Sequence, residues 1–220
     1  MSAPVIGVLA LQGDFGLHER ALARIGVASA EVRKPPELDR VDGLIIPGGE
    51  STTLLKLMEE WQFVPALEEF HAQGHPMFGT CAGLIVLARE VENPRQFSLG
   101  MIDITIERNA YGRQKESFEV EGEAELDGER KPIKMVFIRA PRIRRLGPAV
   151  TPLVQYLGEC VMAREGSVLV AAFHPELTDD PTVHRYFTGM VEAASGGRGE
   201  ARVPALDKDR RGASPGARPR

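Results

Sequence analysis

This sequence has few of the features that mark secreted, membrane-bound or metal-binding proteins. It contains two cysteines in 220 residues, which excludes a disulfide framework and is typical of a reducing compartment. No apolar run is long enough to cross a bilayer, and the first residues lack a basic segment followed by an apolar one. We therefore expect a cytoplasmic protein that does not interact with a membrane.

Motifs for several common chemistries are also missing. The chain lacks a glycine-rich phosphate loop ending in Lys-Ser/Thr, a dinucleotide-binding glycine fingerprint, a paired cysteine motif and a histidine pair at metal-ligand spacing. We therefore expect neither a metal ion nor a cofactor. Cys160 lies among apolar residues of a predicted strand and is interpreted as a core residue.

The charge is unevenly distributed along the chain. The net charge is −4, but residues 195–220 carry seven Lys/Arg against three Asp/Glu, which leaves 20 against 28 in residues 1–194. An acidic folded part disfavours nucleic acid as a partner. Residues 195–220 have no aromatic residue, so they lack the apolar surface that offsets the entropy of ordering. The sequence predicts one folded domain over residues 1–194 and a disordered basic tail over 195–220.

Apolar runs and helical periodicities alternate along residues 1–194. Continuous apolar runs predict strands that are covered on both faces, as in a parallel sheet. Alternating apolar and polar residues predict antiparallel or edge strands added to that sheet. These patterns predict a single three-layer α/β domain with a central, mostly parallel sheet and helices on both faces. The predicted strands are 5–11, 28–32, 41–46, 76–80, 101–108, 117–125, 132–139, 151–156, 160–164 and 167–173. The predicted helices are 15–25 with Asp14 as cap, 52–60, 64–73, one after Cys81, and 181–194.

A cysteine flanked by glycines follows one predicted strand. In Gly79-Thr80-Cys81-Ala82-Gly83, the glycines leave room for a sharp strand-to-helix turn that presents Cys81 at the end of the sheet. Unpaired N–H groups and the dipole at a helix start favour the thiolate over the thiol. Cys81 is therefore the candidate nucleophile. The pentapeptide alone is equally consistent with a small buried cysteine at a tight turn.

His174 is the candidate base among five histidines. It follows the apolar strand predicted over 167–173, and Pro175 fixes the chain direction before Glu176. A carboxylate two residues on can orient and charge-stabilise the imidazole, which gives the order Cys81, His174, Glu176. Standing alone, this pattern also fits a strand-ending histidine beside a solvent-facing glutamate. The remaining histidines are interpreted as surface or turn residues: His18, His71, His75 and His184.

Two backbone segments are candidates for stabilising an oxyanion. The N–H of Ala82 follows the candidate nucleophile, and the Gly48-Gly49 turn ends a neighbouring strand. Diglycine turns are common, so this turn alone is also consistent with an ordinary strand-to-helix connection. Glu50 and Ser51 are both able to cap the following helix, with Ser51 predicted as the N-cap residue. Ser51 is not predicted to be a second nucleophile, because it lacks the flanking glycines that the cysteine has.

Three motifs together resemble those of the class I, or triad, glutamine amidotransferases, a flavodoxin-like α/β family. Within that family, the resemblance is closest to the glutaminase subunits of two-component pyridoxal 5′-phosphate synthases. The three motifs are 47–53, 79–83 and 174–177. The segments that carry the narrower resemblance are 11–13, 107–109, 112–114, 137–141 and 173–178.

The resemblance implies a role for each matching residue. Cys81 is the implied nucleophile, His174 the base and then the acid, and Glu176 its orienting partner. An arginine fork suits an amino-acid carboxylate, which independently favours Arg108 as a glutamine ligand. The implied glutamine-binding residues are Gly48, Gly49, Glu50, Ser51, Arg108, Ile138 and Arg139. The implied oxyanion or activation residues are Gly49, Ala82 and Gln12, of which Gln12 rearranges when the partner docks.

The resemblance also implies a reaction and a partner. L-glutamine would be hydrolysed to glutamate and ammonia through a γ-glutamyl thioester, and the ammonia would pass to a barrel-shaped synthase subunit in a large hetero-oligomer. Two alternatives stay open. One is another cysteine hydrolase or amidotransferase subunit, such as one that serves histidine or anthranilate synthesis. The other is a non-enzymatic α/β binding or redox protein with a reactive cysteine, and fold analogy alone does not separate these.

Overall fold

The computed structural model describes residues 3–108 and 117–199. Within these ranges the chain forms twelve strands and five α-helices. The strands are β1 (Val5–Leu9), β2 (Ala28–Val32), β3 (Gly43–Ile46), β4 (Met77–Thr80), β5 (Ala88–Glu92), β6 (Ile102–Glu107), β7 (Ser117–Leu126), β8 (Glu129–Ile138), β9 (Arg142–Leu146), β10 (Thr151–Tyr156), β11 (Glu159–Glu165) and β12 (Val168–Ala171). The helices are α1 (Phe15–Arg24), α2 (Ser51–Glu60), α3 (Phe63–Ala72), α4 (Ala82–Leu87) and α5 (Thr182–Gly199).

Nine of the described strands form one sheet in the order β2-β1-β3-β4-β12-β11-β10-β7-β8. The first five strands are mutually parallel, and the other four extend the sheet with antiparallel pairs. Strands β3, β4 and β12 are buried at every position, as expected where helices cover both faces of a sheet. The order of the five parallel strands is that of flavodoxin-like folds, which confirms the predicted fold class.

The chain order creates a crevice at one end of the parallel strands. From β1 the chain continues to β2 on one side, whereas from β3 it continues to β4 on the other side. Because such crossovers are right-handed, α1 and the α2–α3 pair cover opposite faces of the sheet. The loops that follow β1 and β3 therefore diverge, and α/β sheets bind ligands at such a point. The carboxyl ends of β4 and β12 lie next to it.

A second, three-stranded sheet within the described part of the chain differs from the prediction. Strand β6 pairs in parallel with β5 and antiparallel with β9. The prediction that residues 101–108 add a strand to the main sheet is therefore wrong, whereas residues 117–125 do join it. Alternation shows which side of a strand is buried, but not which sheet the strand joins. The sequence patterns do not predict β5 or β9, since β5 directly continues the apolar run of α4 and three of the five residues of β9 are arginines.

Some helix ends also differ from the prediction. Helix α5 continues to Gly199, beyond the predicted domain boundary, and residues 200–220 of the predicted tail lie outside the described residues. Asp14 is the N-cap residue of α1, but its side chain makes no capping hydrogen bond. Glu50, and not Ser51, is the N-cap of α2. Among the helices of the described ranges, none is both long and apolar enough to span a bilayer.

Candidate active site

Cys81 lies between β4 and α4 in a strained backbone conformation. Its φ is +48° and its ψ is −98°, a combination that a residue with a side chain adopts only where its surroundings enforce it. The flanking glycines make this turn feasible. A Cβ at Gly79 would lie 2.5 Å from the carbonyl carbon of Gly83, and a Cβ at Gly83 would overlap the carbonyl oxygen of Ile46. The structure thus has the sharp turn that the glycine spacing predicts, and Ala82 begins α4 directly after the cysteine.

The Gly48-Gly49 turn after β3 packs against both candidate catalytic side chains. A Cβ at Gly48 would lie 3.3 Å from the Cβ of Cys81 and would overlap the imidazole of His174. Gly49 has a φ of +147°, and a Cβ there would collide with the side-chain amide of Gln12. The Oε1 atom of Gln12 accepts a hydrogen bond of 2.9 Å from the backbone N–H of Glu50. Gln12 therefore holds the glycine turn from the side of the β1 loop.

His174 and Glu176 complete the group of three side chains that begins with Cys81. The Nδ1 atom of His174 lies 2.7 Å from Oε1 of Glu176, and the His174 ring and the Cβ of Cys81 both lie against Gly48. The backbone N–H of His174 donates to the carbonyl of Val136 at 2.8 Å, which fixes the residue at the end of β12. All three side chains are buried, with residue exposures of 7% for Cys81 and 4% for each of the other two. The structure thus brings the three predicted triad residues together.

The environment of His174 and Glu176 favours their charged forms. Burial lowers the pKa of His174, but its hydrogen bonds to Cys81 and Glu176, together with their charges, raise it to about 10. Burial raises the pKa of Glu176, but His18 and His174 lower it to a net value below its usual range. At neutral pH the imidazole is therefore protonated between the sulfur and the carboxylate. In this state the proton needed by a leaving group is already on His174.

Within the described residues, the side chains of one group of carboxylates and an imidazole lie close enough together to be considered as a candidate metal site. Ligand atoms of Asp14, His174 and Glu176 lie within 4.8 Å of one another. The His174–Glu176 hydrogen bond already joins a ring nitrogen and a carboxylate oxygen of this group. The proximity of His174 and Glu176 within this group is therefore accounted for by their own hydrogen bond.

Glu50 connects the glycine turn to Arg108. Its carboxylate accepts from the N–H groups of Thr52 at 3.1 Å and Thr53 at 2.7 Å, which caps α2. Hydrogen bonds from Thr52 and then Thr53 outweigh the effect of burial and lower the pKa of Glu50 to about 2. Nη2 of Arg108 lies 3.6 Å from Oε1 of Glu50 and 3.4 Å from Oγ1 of Thr52, and only 15% of the arginine side chain is exposed. Residues 109–114, which include part of the narrower resemblance, lie outside the described residues.

The other predicted glutamine ligands occupy different positions around the triad. The carbonyl oxygen of Ile138 lies 4.0 Å from Sγ of Cys81. Arg139 follows with a φ of +45° and an exposed side chain. Ser51 is buried, and its hydroxyl donates to Oε1 of Gln96 at 3.3 Å. The glutamine-binding roles of these residues, and the oxyanion roles of the backbone groups, stay predictions.

Two histidines that were predicted to lie on the surface are fully buried beside the triad. His18 and His184 have zero exposure, and Nδ1 of His18 lies 3.1 Å from Nε2 of His184. The prediction gave weight to the charged neighbours in sequence, but those neighbours point to other sides of a helix. The helical spacing of apolar residues indicates the buried side of each helix. His18 lies three and four residues before the buried Ala21 and Leu22, and His184 lies three residues before the buried Phe187.

Replacing Gly48 by alanine is expected to lower glutamate release from glutamine by about 10²-fold, because the added methyl group would displace the His174 ring, and misplacing a reacting group by about 1 Å costs this much. Steady-state kinetics on the folded variant, checked by circular dichroism, would measure the loss. Gly16→Ala is the matched control, since a Cβ there meets nothing within 4 Å. Equal activity of the two variants would show that the turn does not position the triad.

Comparisons with known proteins agree with this arrangement. The family model described as the SNO glutamine amidotransferase family matches residues 8–193. A protein of Carboxydothermus hydrogenoformans named pyridoxal 5′-phosphate synthase subunit PdxT is 50% identical over 186 residues, which cover 84% of this chain and 97% of the relative. A protein of the same name from Fervidobacterium nodosum is 51% identical over 188 residues, which cover 86% and 97%.

A solved structure described as a glutamine amidotransferase agrees with the fold and with the family. It superimposes with a TM-score of 0.78 at 46% identity, covering 85% of this chain and 98% of its own. The sequence match extends over nearly the whole of each relative and includes the turn with Cys81, the Gly48-Gly49 turn and the His174–Glu176 segment. The chain belongs to the SNO glutamine amidotransferase family.

Proposed function

We propose that this chain hydrolyses L-glutamine to L-glutamate and ammonia at Cys81 and delivers the ammonia to the subunit that synthesises pyridoxal 5′-phosphate. The observation that supports this most directly is the buried series Cys81–His174–Glu176 beside the Gly48-Gly49 turn. The chain is 50% and 51% identical to two proteins named pyridoxal 5′-phosphate synthase subunits. This identity supports the proposal that the ammonia is used to make pyridoxal 5′-phosphate.

The first chemical step is attack of the Cys81 thiolate on the side-chain amide carbon of glutamine. Negative charge then develops on the amide oxygen, and the proposed donors that stabilise it are backbone N–H groups of Ala82 and the Gly48-Gly49 turn. One such donor contributes about 3 kcal/mol to lowering the barrier in known cases. His174 gives its proton to the departing nitrogen, the carbon–nitrogen bond breaks, and a γ-glutamyl thioester and ammonia remain.

The second step releases glutamate. His174, now neutral, takes a proton from water as the water oxygen attacks the thioester carbon. The carbon–sulfur bond breaks, the thiolate of Cys81 leaves, and the imidazolium is restored. Glu176 stays ionised throughout and stabilises the positive ring.

The polar groups next to the triad supply the contacts that an amino acid requires. Arg108 carries the positive charge for the substrate carboxylate, and its link to Glu50 keeps it beside the glycine turn. Ser51 and the backbone at Ile138 and Arg139 are the other proposed contacts. The Ile138 carbonyl, near the sulfur, is an acceptor for an amide N–H of the substrate.

The chemistry of ammonia favours a partner enzyme. Ammonia released into bulk water at neutral pH becomes ammonium and loses the lone pair that makes it a nucleophile. A glutaminase that supplies ammonia should therefore be bound to the enzyme that consumes it. We propose a cytoplasmic hetero-oligomer with the barrel-shaped pyridoxal 5′-phosphate synthase subunit.

The test is an assay of glutamate release from glutamine with and without the purified synthase subunit. Added synthase is expected to increase the rate and to co-purify with the chain, and pyridoxal 5′-phosphate should form when the sugar phosphates are supplied. Amidotransferase partners for histidine or anthranilate synthesis serve as controls. Activation by one of these controls and not by the pyridoxal 5′-phosphate synthase would contradict the proposal.

A further inference from the structure

A row of buried polar side chains extends from Glu176 of the triad to one histidine on α1 and one on α5. The proposed mechanism does not use these two histidines. His18 on α1 faces Glu176 of the triad, Thr80 at the end of β4 and His184 on α5. The distances from its Nε2 atom are 3.4 Å to Oε2 of Glu176 and 3.2 Å to Oγ1 of Thr80, and its Nδ1 atom is 3.1 Å from Nε2 of His184. Both histidines have zero exposure, so the solvent does not compete for these contacts.

Both histidines are neutral at neutral pH. Burial lowers the pKa of His18, and this effect together with the charge of His174 outweighs the charges of Glu176 and Asp14. Burial also lowers the pKa of His184 to about 3, with further lowering by His18 and Arg24 that exceeds the opposing effects of Glu176 and Asp180. Each ring therefore carries one N–H and one bare nitrogen.

The contacts decide which nitrogen of His18 carries the proton. With the proton on Nε2, His18 donates to Oγ1 of Thr80 and its N–H lies beside the carboxylate of Glu176, while its bare Nδ1 accepts from the Nε2–H of His184. With the proton on Nδ1, a bare nitrogen would face the carboxylate, and Nδ1–H of His184 would be a buried donor. Among the residues that the structure describes, Nδ1 of His184 has no hydrogen-bond partner. A buried donor without an acceptor is destabilising, so the first arrangement is favoured.

We propose that His18 is a positioning residue for the triad, held by His184 in the tautomer whose Nε2–H donates to Thr80 Oγ1 and lies beside the second carboxylate oxygen of Glu176, 3.4 Å from the nitrogen. The first oxygen accepts from His174 at 2.7 Å, whereas the second has no hydrogen-bond partner among the described residues, so the positive end of the nearby His18 N–H dipole stabilises its charge. His18 thereby keeps Glu176 ionised and fixes the plane of its carboxylate, which in turn orients the His174 ring towards Cys81. This inference rests on the proposed glutaminase function for its kinetic test.

The kinetic test compares His18→Leu with His18→Gln in the complex with the synthase. The leucine variant removes the donor and should lower kcat by about 10–100-fold, as loss of a supporting hydrogen bond typically does, with little change in KM. The glutamine variant keeps an amide donor and should recover most of this loss. His71→Leu on α3 is the control for the same exchange far from the site.

The pH profile separates positioning from a general loss of structure. Without the polar His18 ring the pKa of Glu176 rises, since the electrostatic stabilisation of its charged form is lost, and the acid limb of kcat/KM should move to higher pH in the leucine variant only. A merely structural defect would lower the rate at every pH without moving the limb. An unmoved limb, or a glutamine variant as impaired as the leucine variant, would overturn the proposal.

The tautomer can be tested without any activity. In ¹⁵N spectra of the full-length chain with labelled histidines, His18 should show a protonated Nε2 and a bare Nδ1 at neutral pH, and His184→Leu should reduce this preference. A wild-type His18 protonated on Nδ1 would refute the proposal even if the enzyme is active. Conversely, the expected spectrum in a chain that fails to hydrolyse glutamine would count against the proposed function alone.

Discussion

Replacing Cys81 by alanine is expected to reduce glutamate release by about 10⁴-fold or more, because removal of a nucleophile leaves only binding and oxyanion stabilisation. The assay is glutamate formation in the presence of the synthase subunit. The variant should fold normally, since alanine fits the space of cysteine, and should still bind the synthase. Mass spectrometry of the wild-type chain after treatment with an electrophilic glutamine analogue should find the label on Cys81.

Cys160 provides the matched control for Cys81. It lies in β11, is partly buried, and its Sγ hydrogen-bonds the carbonyl of Met162 at 3.3 Å. Burial raises the pKa of this thiol to about 11, so it is protonated at neutral pH and should not be labelled. Cys160→Ser should retain glutaminase activity. Persistent glutamate release by Cys81→Ala would reject the proposed reaction and favour a binding or redox role for the cysteine.

Most of the parallel half of the fold could be predicted because its central strands β3, β4 and β12 are buried at every position. Runs such as 5–11 and 41–46 admit few other interpretations in a chain of this length and composition. The turn residues were equally informative. Close contacts with backbone atoms leave no room for a side chain at Gly79 or Gly83, and contact with the His174 ring leaves none at Gly48.

The second sheet could not be predicted because its strands carry weaker local signals. Strand β6 is recognisable by its apolar residues, but its neighbours β5 and β9 are separated from it in sequence and contain charged residues. Their pairing depends on tertiary contacts, including those of Asp103 on β6 with Arg89 on β5 and Arg145 on β9. Strand pairing of this kind is specified by the surroundings and not by propensity.

The site was predictable only in part, and His18 shows why. Cys81, His174 and Glu176 each follow a strand end, where parallel strands place their side chains at one edge of the sheet. His18 and His184 instead lie within helices, and nothing in either helix reveals that the two rings meet 3.1 Å apart beside the carboxylate. Periodicity could have indicated that each ring is buried. Their meeting depends on how α1 and α5 pack, which a single sequence does not specify.

Replacing Glu176 by glutamine is expected to lower kcat by about 10²–10⁴-fold, since an uncharged isostere of the orienting carboxylate costs up to about 10⁴-fold in a serine protease triad. The variant keeps the size of the side chain but removes the charge that helps to raise the pKa of His174. Glu123→Gln, on an exposed carboxylate of β7 whose side chain is 70% exposed, is the control. A twofold effect or less would show that the carboxylate does not orient the base.

The alkaline limb of the pH profile gives a second readout of the same exchange. In the wild type the His174 pKa of about 10 lies above the value of 6.5 for a free histidine, so the proton for the leaving ammonia is present at neutral pH and is lost as the pH rises through about 10. Without the charge of Glu176 the pKa of His174 falls, because burial disfavours the positive ring and the carboxylate no longer offsets this effect. The limb should therefore move to lower pH in Glu176→Gln and stay in place in Glu123→Gln, and a shift in the opposite direction would show that the carboxylate does not stabilise the imidazolium.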